Sequence, residues 1–116
     1  MNLPELIDQY CAAWNHPDAA LRARLLDEVL APQATYTDPN VYAASPAALL
    51  MHIEGVRAKR PGAQVLRHGP VDAHHHVAHF VWRVTQADGT LLREGIDVIT
   101  LDAAGAKITS IIGFVR

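Results

Sequence analysis

The stretch His79-Phe80-Val81-Trp82-Arg83-Val84-Thr85-Gln86-Ala87-Asp88-Gly89-Thr90-Leu91-Leu92-Arg93-Glu94-Gly95-Ile96-Asp97-Val98-Ile99-Thr100-Leu101 decides the fold. Its apolar and β-branched residues follow a period of two, and Ala87-Asp88-Gly89 supplies a hairpin turn between the two runs. The pattern extends in both directions. Upstream, the first run reaches back to Ala73, and Gln64 to His68 forms a shorter strand before it. Downstream, Asp102-Ala103-Ala104-Gly105 turns the chain into a last strand, Lys107 to Val115. These segments predict an antiparallel meander of about four strands.

The N-terminal half keeps a different period. Leu3, Leu6, Ile7, Tyr10, Ala13 and Trp14 recur at helical spacing and predict a helix from Pro4 to Trp14. Asn15-His16-Pro17 breaks it. Asp18 then caps a second helix through Leu30, with Leu21, Leu25, Leu26 and Val29 as its apolar side and Pro32 as its stop. Ala34 to Thr37 reads as a short strand and Asp38-Pro39-Asn40 as the turn after it. Ser45-Pro46 opens a third helix that runs to Lys59 and ends at Pro61-Gly62. Three helices followed by a meander predict one α+β domain over residues 1–116, with the helices on one face of a curved sheet.

Bulk properties exclude several partners. Ten basic against 12 acidic residues give a formal charge of −2, and no basic stripe suits nucleic acid. No apolar run approaches the roughly 18 residues that cross a membrane. Met1-Asn2-Leu3-Pro4-Glu5 has neither the basic nor the apolar region of a signal peptide. Cys11 is the one cysteine, which rules out an internal disulfide and fits a reducing, cytoplasmic setting.

Three polar residues stand in apolar surroundings. Tyr10 lies on the stripe of the first helix between Ile7 and Trp14, either filling the core or aiming a hydroxyl into a cavity. Asp38 precedes Pro39 at a strand end, a position that turn chemistry alone explains. Asp97 is the least ordinary. It sits in mid-strand, sharing one face with Ile99 and Leu101 while Ile96 and Val98 share the other, which predicts a strand covered on both sides. A carboxyl group there must pair, take up a proton or face a pocket. Arg93 and Glu94 offer a local ion pair as the structural alternative.

Histidines raise the question of a metal. In a continuous strand His74 and His76 share one face and His75 and His79 the other, but no third ligand is spaced to complete a zinc site, so no metal is expected. His52 lies near the apolar side marked by Leu49, Ile53 and Val56. There is no phosphate-binding glycine loop and no Gly-x-Ser-x-Gly elbow, and Cys11 has no evident histidine partner. The chain offers acid–base groups and no obvious nucleophile.

Tyr10-Cys11-Ala12-Ala13-Trp14-Asn15, Ala34-Thr35-Tyr36-Thr37-Asp38-Pro39, Ile96-Asp97, Gly105-Ala106-Lys107-Ile108 and Gly113-Phe114 together resemble the nuclear-transport-factor-2-like superfamily, which includes SnoaL-like polyketide cyclases and ketosteroid isomerases. The resemblance spans essentially the whole chain. It implies a cone-shaped α+β barrel in which a strongly bent antiparallel or mixed sheet wraps three helices around a deep apolar pocket. It also implies a homodimer packed through the outer sheet face.

Against the isomerase pattern, Tyr10 corresponds to the oxyanion tyrosine, Asp38 to the general base and Asp97 to the protonated oxyanion acid. The resemblance therefore implies a cofactor-independent isomerase of the steroid delta-isomerase type, acting on a small apolar carbonyl compound that is steroid- or polyketide-like. Trp14, Tyr36, His52, Phe80, Trp82 and Phe114 are the expected pocket walls. His52-Ile53 departs from the pattern, because the isomerases carry aromatic residues there. Two other readings stand beside this one: a non-catalytic ligand-binding or dimerisation module, and a hydrolase or dehydratase using His52 with Asp38.

Overall fold

The computed structural model describes residues 1–116. Its elements are α1 (Leu3–Asn15), α2 (Ala19–Val29), β1 (Leu30–Asp38), β2 (Val41–Ala43), α3 (Pro46–Lys59), β3 (Gln64–Arg67), β4 (Asp72–His74), β5 (Val77–Thr85), β6 (Leu91–Leu101) and β7 (Ile108–Val115). The helices start where short polar side chains accept amide hydrogens. Asn2 and Glu5 form a capping box on α1, Asp18 accepts from the Leu21 amide, and Ser45 accepts from the Ala48 amide ahead of Pro46.

The strands form one curved sheet in the order β2-β1-β7-β6-β5-β3, with β4 sharing the free edge of β5 beside β3. β5, β6 and β7 are the antiparallel meander, while β1 lies parallel to β7. The sheet is therefore mixed. The three helices cover its concave face, where Ile7, Tyr10, Leu26, Leu49, Ile53, Phe80, Ile99 and Ile111 form the centre of the core. Asn15, at the end of α1, extends the sheet edge with a side chain: its Nδ2 donates to the Val65 carbonyl at 2.8 Å and its Oδ1 accepts from the Val65 amide at 2.7 Å. Arg67 of β3 adds a bidentate pair to Asp8, so α1 shields an edge that would otherwise offer unpaired backbone groups.

Four expectations need correction. The second helix ends at Val29, and β1 already begins at Leu30, four residues earlier than composition suggests. Pro32 does not interrupt β1, because it falls where the pairing with β7 shifts register between Leu30 and Thr35. β2, only three residues long, was invisible to a periodicity reading. Finally, Ala73 to Gln86 is not one strand. It folds back at His75-His76, with His75 at φ 53°, so the predicted alternation of histidine faces does not exist. His74, His75, His76 and His79 are all exposed around that tight turn, and His79 lies 3.3 Å from Asp72.

One buried charge ties the helices together. Arg22 of α2 donates from Nε and Nη2 to both carboxylate oxygens of Glu54 in α3, at 2.8 and 2.6 Å, and from Nη1 to the His16 carbonyl. Glu54 is partly exposed, which reduces the value of the pair. Arg22→Ala, which strands Glu54 and the His16 carbonyl, is expected to lower unfolding stability by about 2 kcal/mol in denaturant titration. Glu54→Gln keeps one hydrogen bond and is expected to cost less.

Candidate active site

The concave face of the sheet does not close completely on the helices. It leaves a cavity of about 280 Å³ whose deep end is lined by Tyr10, Trp14, Tyr36, Asp38, Phe80 and Asp97. Each side chain arrives by strand alternation or helical spacing. Tyr36 and Asp38 stand two apart on β1 and share its inner face. Asp97 pairs across the sheet with Phe80 on one side and Gly113 on the other, so its neighbours on the inner face are an aromatic ring and a bare backbone.

Gly113 is what lets the two carboxyl groups approach one cavity wall. A Cβ at this position would stand 2.9 Å from Asp97 Oδ1 and 3.5 Å from Asp38 Cβ. Gly95 has the same function one pair along. A side chain there would collide with the Trp82 ring and the Phe114 carbonyl, so only glycine lets the indole lie across β6. In that position Trp82 Nε1 donates to Asp97 Oδ1 at 2.8 Å. Neither Arg93 nor Glu94 pairs with Asp97; Glu94 instead faces Arg83 and Arg116 on the opposite side of the strand.

The two carboxyl groups have different environments. Asp97 is 6 % exposed, and burial pushes its pKa up from 3.8 to about 7; the Trp82 indole opposes the rise and the Asp38 charge adds to it. Asp38 is solvated by the protein. Its Oδ2 accepts from the Tyr36 hydroxyl at 2.7 Å, and its Oδ1 accepts from the backbone amides of Asn40 and Val41 at 2.8 and 3.0 Å. Those three donors suit a carboxylate. Burial holds the hydroxyls of Tyr10 and Tyr36 well above the ordinary tyrosine range, so both stay neutral donors.

His52 stands at the edge of this group. Its Nε2 is 3.6 Å from Asp38 Oδ2, beyond hydrogen-bond length, and its ring packs 5.7 Å from Tyr36 and 5.8 Å from Trp14. The Trp14 indole N–H is buried and acts on the Tyr10 hydroxyl, but no acceptor stands in good hydrogen-bond geometry to it. Cys11 also lines the cavity, but burial pushes its thiol up to about 12, which leaves it protonated and unreactive.

Of the nine residues singled out from sequence, eight line the cavity: Tyr10, Asp38 and Asp97 together with Trp14, Tyr36, His52, Phe80 and Trp82. Phe114 does not. It lies between Gly113 and Val115, both of which line the cavity, so strand alternation turns it to the outer face, where it is 58 % exposed. Sequence reasoning missed Gly95 and Gly113, whose importance is the absence of a side chain, and Arg93, which counting by two from Asp97 along β6 would have found.

The displaced pKa of Asp97 has a stability consequence. Between pH 4 and 7 the folded chain holds a proton on Asp97 that the unfolded chain has lost, so stability falls as pH rises through this window, by on the order of 4 kcal/mol from this group. Asp97→Asn keeps an acceptor for Trp82 without the charge. Thermal melts of this variant are expected to lose that part of the pH dependence and to exceed the parent's Tm at pH 8. Equal slopes for the two proteins would show that Asp97 titrates normally.

No family model matches the sequence, and no curated protein matches it. Solved structures do. A proposed isomerase of the SnoaL-like family from Agrobacterium tumefaciens strain C58 is 30 % identical, superposes with a TM-score of 0.90, and the match covers 97 % of this chain and 96 % of that one. An NTF2-like protein of unknown function from Exiguobacterium sp. 255-15 shares the fold at 18 % identity and a TM-score of 0.76, over 96 % and 98 % of the two chains. A proposed SnoaL-like polyketide cyclase from Jannaschia sp. CCS1 does so at 12 % and 0.77, over 99 % and 85 %. The mixed, bent sheet around three helices is thus the NTF2-like cone, and at this identity and coverage the chain belongs to the SnoaL-like family.

Proposed function

We propose that this chain binds a small, largely apolar carbonyl compound in its cavity and moves a proton on the carbon next to the carbonyl, without a cofactor. Asp38 is the base. It removes the α-proton as the carbon–carbon double bond forms, and the carbonyl oxygen takes the negative charge as an enolate. The Tyr10 hydroxyl and the protonated Asp97 carboxyl donate hydrogen bonds to that oxygen. Asp38 then returns the proton to another carbon of the conjugated system, which makes the net reaction an isomerisation.

The observation that carries this reading is the contrast between two carboxyl groups facing one cavity across Gly113. Asp97 is buried with a single donor and pushed up to about 7, whereas three donors solvate Asp38. The buried acid that retains its proton supports the role of donor for Asp97, and the donors on both oxygens of Asp38 support the role of base for it. A cavity of about 280 Å³ lies at the small end of ligand pockets, roughly 300–1,000 Å³, and favours a compact ligand.

A second reading rests on the 3.6 Å separation of His52 Nε2 and Asp38 Oδ2. A ligand that drew them together would make them a base pair for water addition or removal. The two readings separate on variants assayed against a panel of unsaturated ketones and their hydroxylated counterparts. Under the isomerase reading Asp38→Asn lowers kcat/KM about 10²- to 10⁴-fold with the fold retained, and His52→Gln has a much smaller effect. Equal losses in the two variants, confined to the hydroxylated compounds, would favour the second reading. Full turnover of a ketone by Asp38→Asn would remove Asp38 as the base. If no compound turns over in the parent protein, the cavity serves binding alone. The isomerase rate is also expected to fall as pH rises through about 7, because Asp97 then loses the proton it donates.

We further propose a homodimer through the outer face of the sheet. Tyr42 and Phe114 are 66 % and 58 % exposed, and on the same face Ile112 of β7, Ile96 and Val98 of β6 and Val81 of β5 are left only half-covered by this chain. Light scattering is expected to give twice the chain mass, and Phe114→Asp with Val98→Arg is expected to give the monomer.

A further inference from the structure

The cavity changes character along its length. At its open end the lining includes Lys59, Arg60 and Arg93, all exposed, in a chain whose net charge is negative. None of the three has an ion-pair partner. The other arginine pairs are Arg22 with Glu54, Arg67 with Asp8, and Arg83 and Arg116 with Glu94, and they lie elsewhere. Lys59 and Arg60 follow from the end of α3, where cations complement the helix dipole, but that reason does not extend to Arg93. Arg93 is on β6, on the same inner face as Gly95 and Asp97, and two different elements therefore deliver cations to one rim.

These cations are not counter-charges for the carboxyl groups at the floor. Arg93 stands four residues along β6 from Asp97, roughly 13 Å at the usual rise, and none of the three cations forms an ion pair with Asp38 or Asp97. The groups that set the Asp97 pKa are burial, Trp82 and Asp38, with no cation among them. Arg57, a fourth cationic side chain in the lining, is already engaged through Nη1 with the Trp14 carbonyl at 2.9 Å.

We propose that the ligand is amphipathic: its apolar body fills the cavity, and an anionic group at the end farthest from Tyr10 and Asp97 is held by Lys59, Arg60 and Arg93. This inference rests on the cavity being a ligand site, as proposed above, and does not depend on catalysis.

Octanoate, octanol, octylamine and octyl phosphate, matched in their apolar part, test it by titration at low salt and about pH 7.5, where the carboxylate is ionised. Trp14 and Trp82 line the cavity, so intrinsic fluorescence reports occupancy alongside calorimetry. Octanoate or octyl phosphate is expected to bind about ten-fold or more tightly than octanol, with an affinity that falls as salt is added. The better of the two anions identifies the acid class. In a Lys59→Gln, Arg60→Gln, Arg93→Gln variant the preference is expected to vanish while octanol affinity holds; Arg93→Gln alone gives part of the loss should the triple variant not fold. Equal affinity for octanol and the anions, or tightest binding of octylamine, overturns the anionic-end proposal and leaves the cavity as a ligand site. Failure of all four probes to bind removes the ligand-site reading, and this inference with it.

Discussion

Everything at the site depends on keeping one carboxyl group, that of Asp97, inside an apolar sheet. A bare ionised carboxylate there would cost far more than a single domain can spare. The fold meets that constraint with one hydrogen bond, from the Trp82 indole, and with partial neutralisation, since burial moves the Asp97 pKa to about 7. Two glycines make the arrangement possible. Gly95 makes room for the Trp82 ring on β6, and Gly113 leaves open the space into which Asp97 Oδ1 points from β6 toward β7. Removing either glycine forces the carboxyl or the indole to move.

The rest of the architecture holds that wall in place. β6 is the central strand of the meander, hydrogen-bonded to β5 on one side and β7 on the other, so Asp97 lies where the backbone is most completely paired. β1 runs parallel to β7 and brings Tyr36 and Asp38 to the far side of Gly113. α1 closes the cavity with Tyr10 and Trp14, and its end is fixed to the sheet edge through Asn15 and Val65. Because α1 contributes both a site hydroxyl and the edge cover, its placement couples fold stability to site geometry.

Charge is distributed along the cavity in the same economical way. Acids lie at the floor, hydrophobic and aromatic residues form the walls, and unpaired cations ring the mouth. An apolar floor strengthens any hydrogen bond made there, whereas charges at an exposed mouth are weakened by water and salt. The outer face of the sheet is a separate surface. Its exposed Phe114 and Tyr42 contribute nothing to the cavity.

Much of this was legible in the chain itself. The change from helical period to period two, the Asp18 and Ser45 caps and the Ala87-Asp88-Gly89 turn specify three helices and a meander, because each is a local signal read over a few residues. Asp97 was conspicuous for the same reason, as a carboxyl group inside an alternating apolar strand. What sequence could not reach depends on partners distant in the chain. β1 is stabilised by β7, some 75 residues away, which is why Pro32 could be carried inside a strand; β2, by contrast, is a local hairpin partner of β1 whose three residues are too few to show a period. The histidine run looked like strand until the pairing of β4 with β5 required a turn at His75. Phe114 looked like pocket wall until its register beside Ile96 turned it outward. Local periodicity thus determined which elements form and which polar residue is out of place, whereas strand register and glycine-permitted contacts, set only by long-range packing, decided which residues share the cavity.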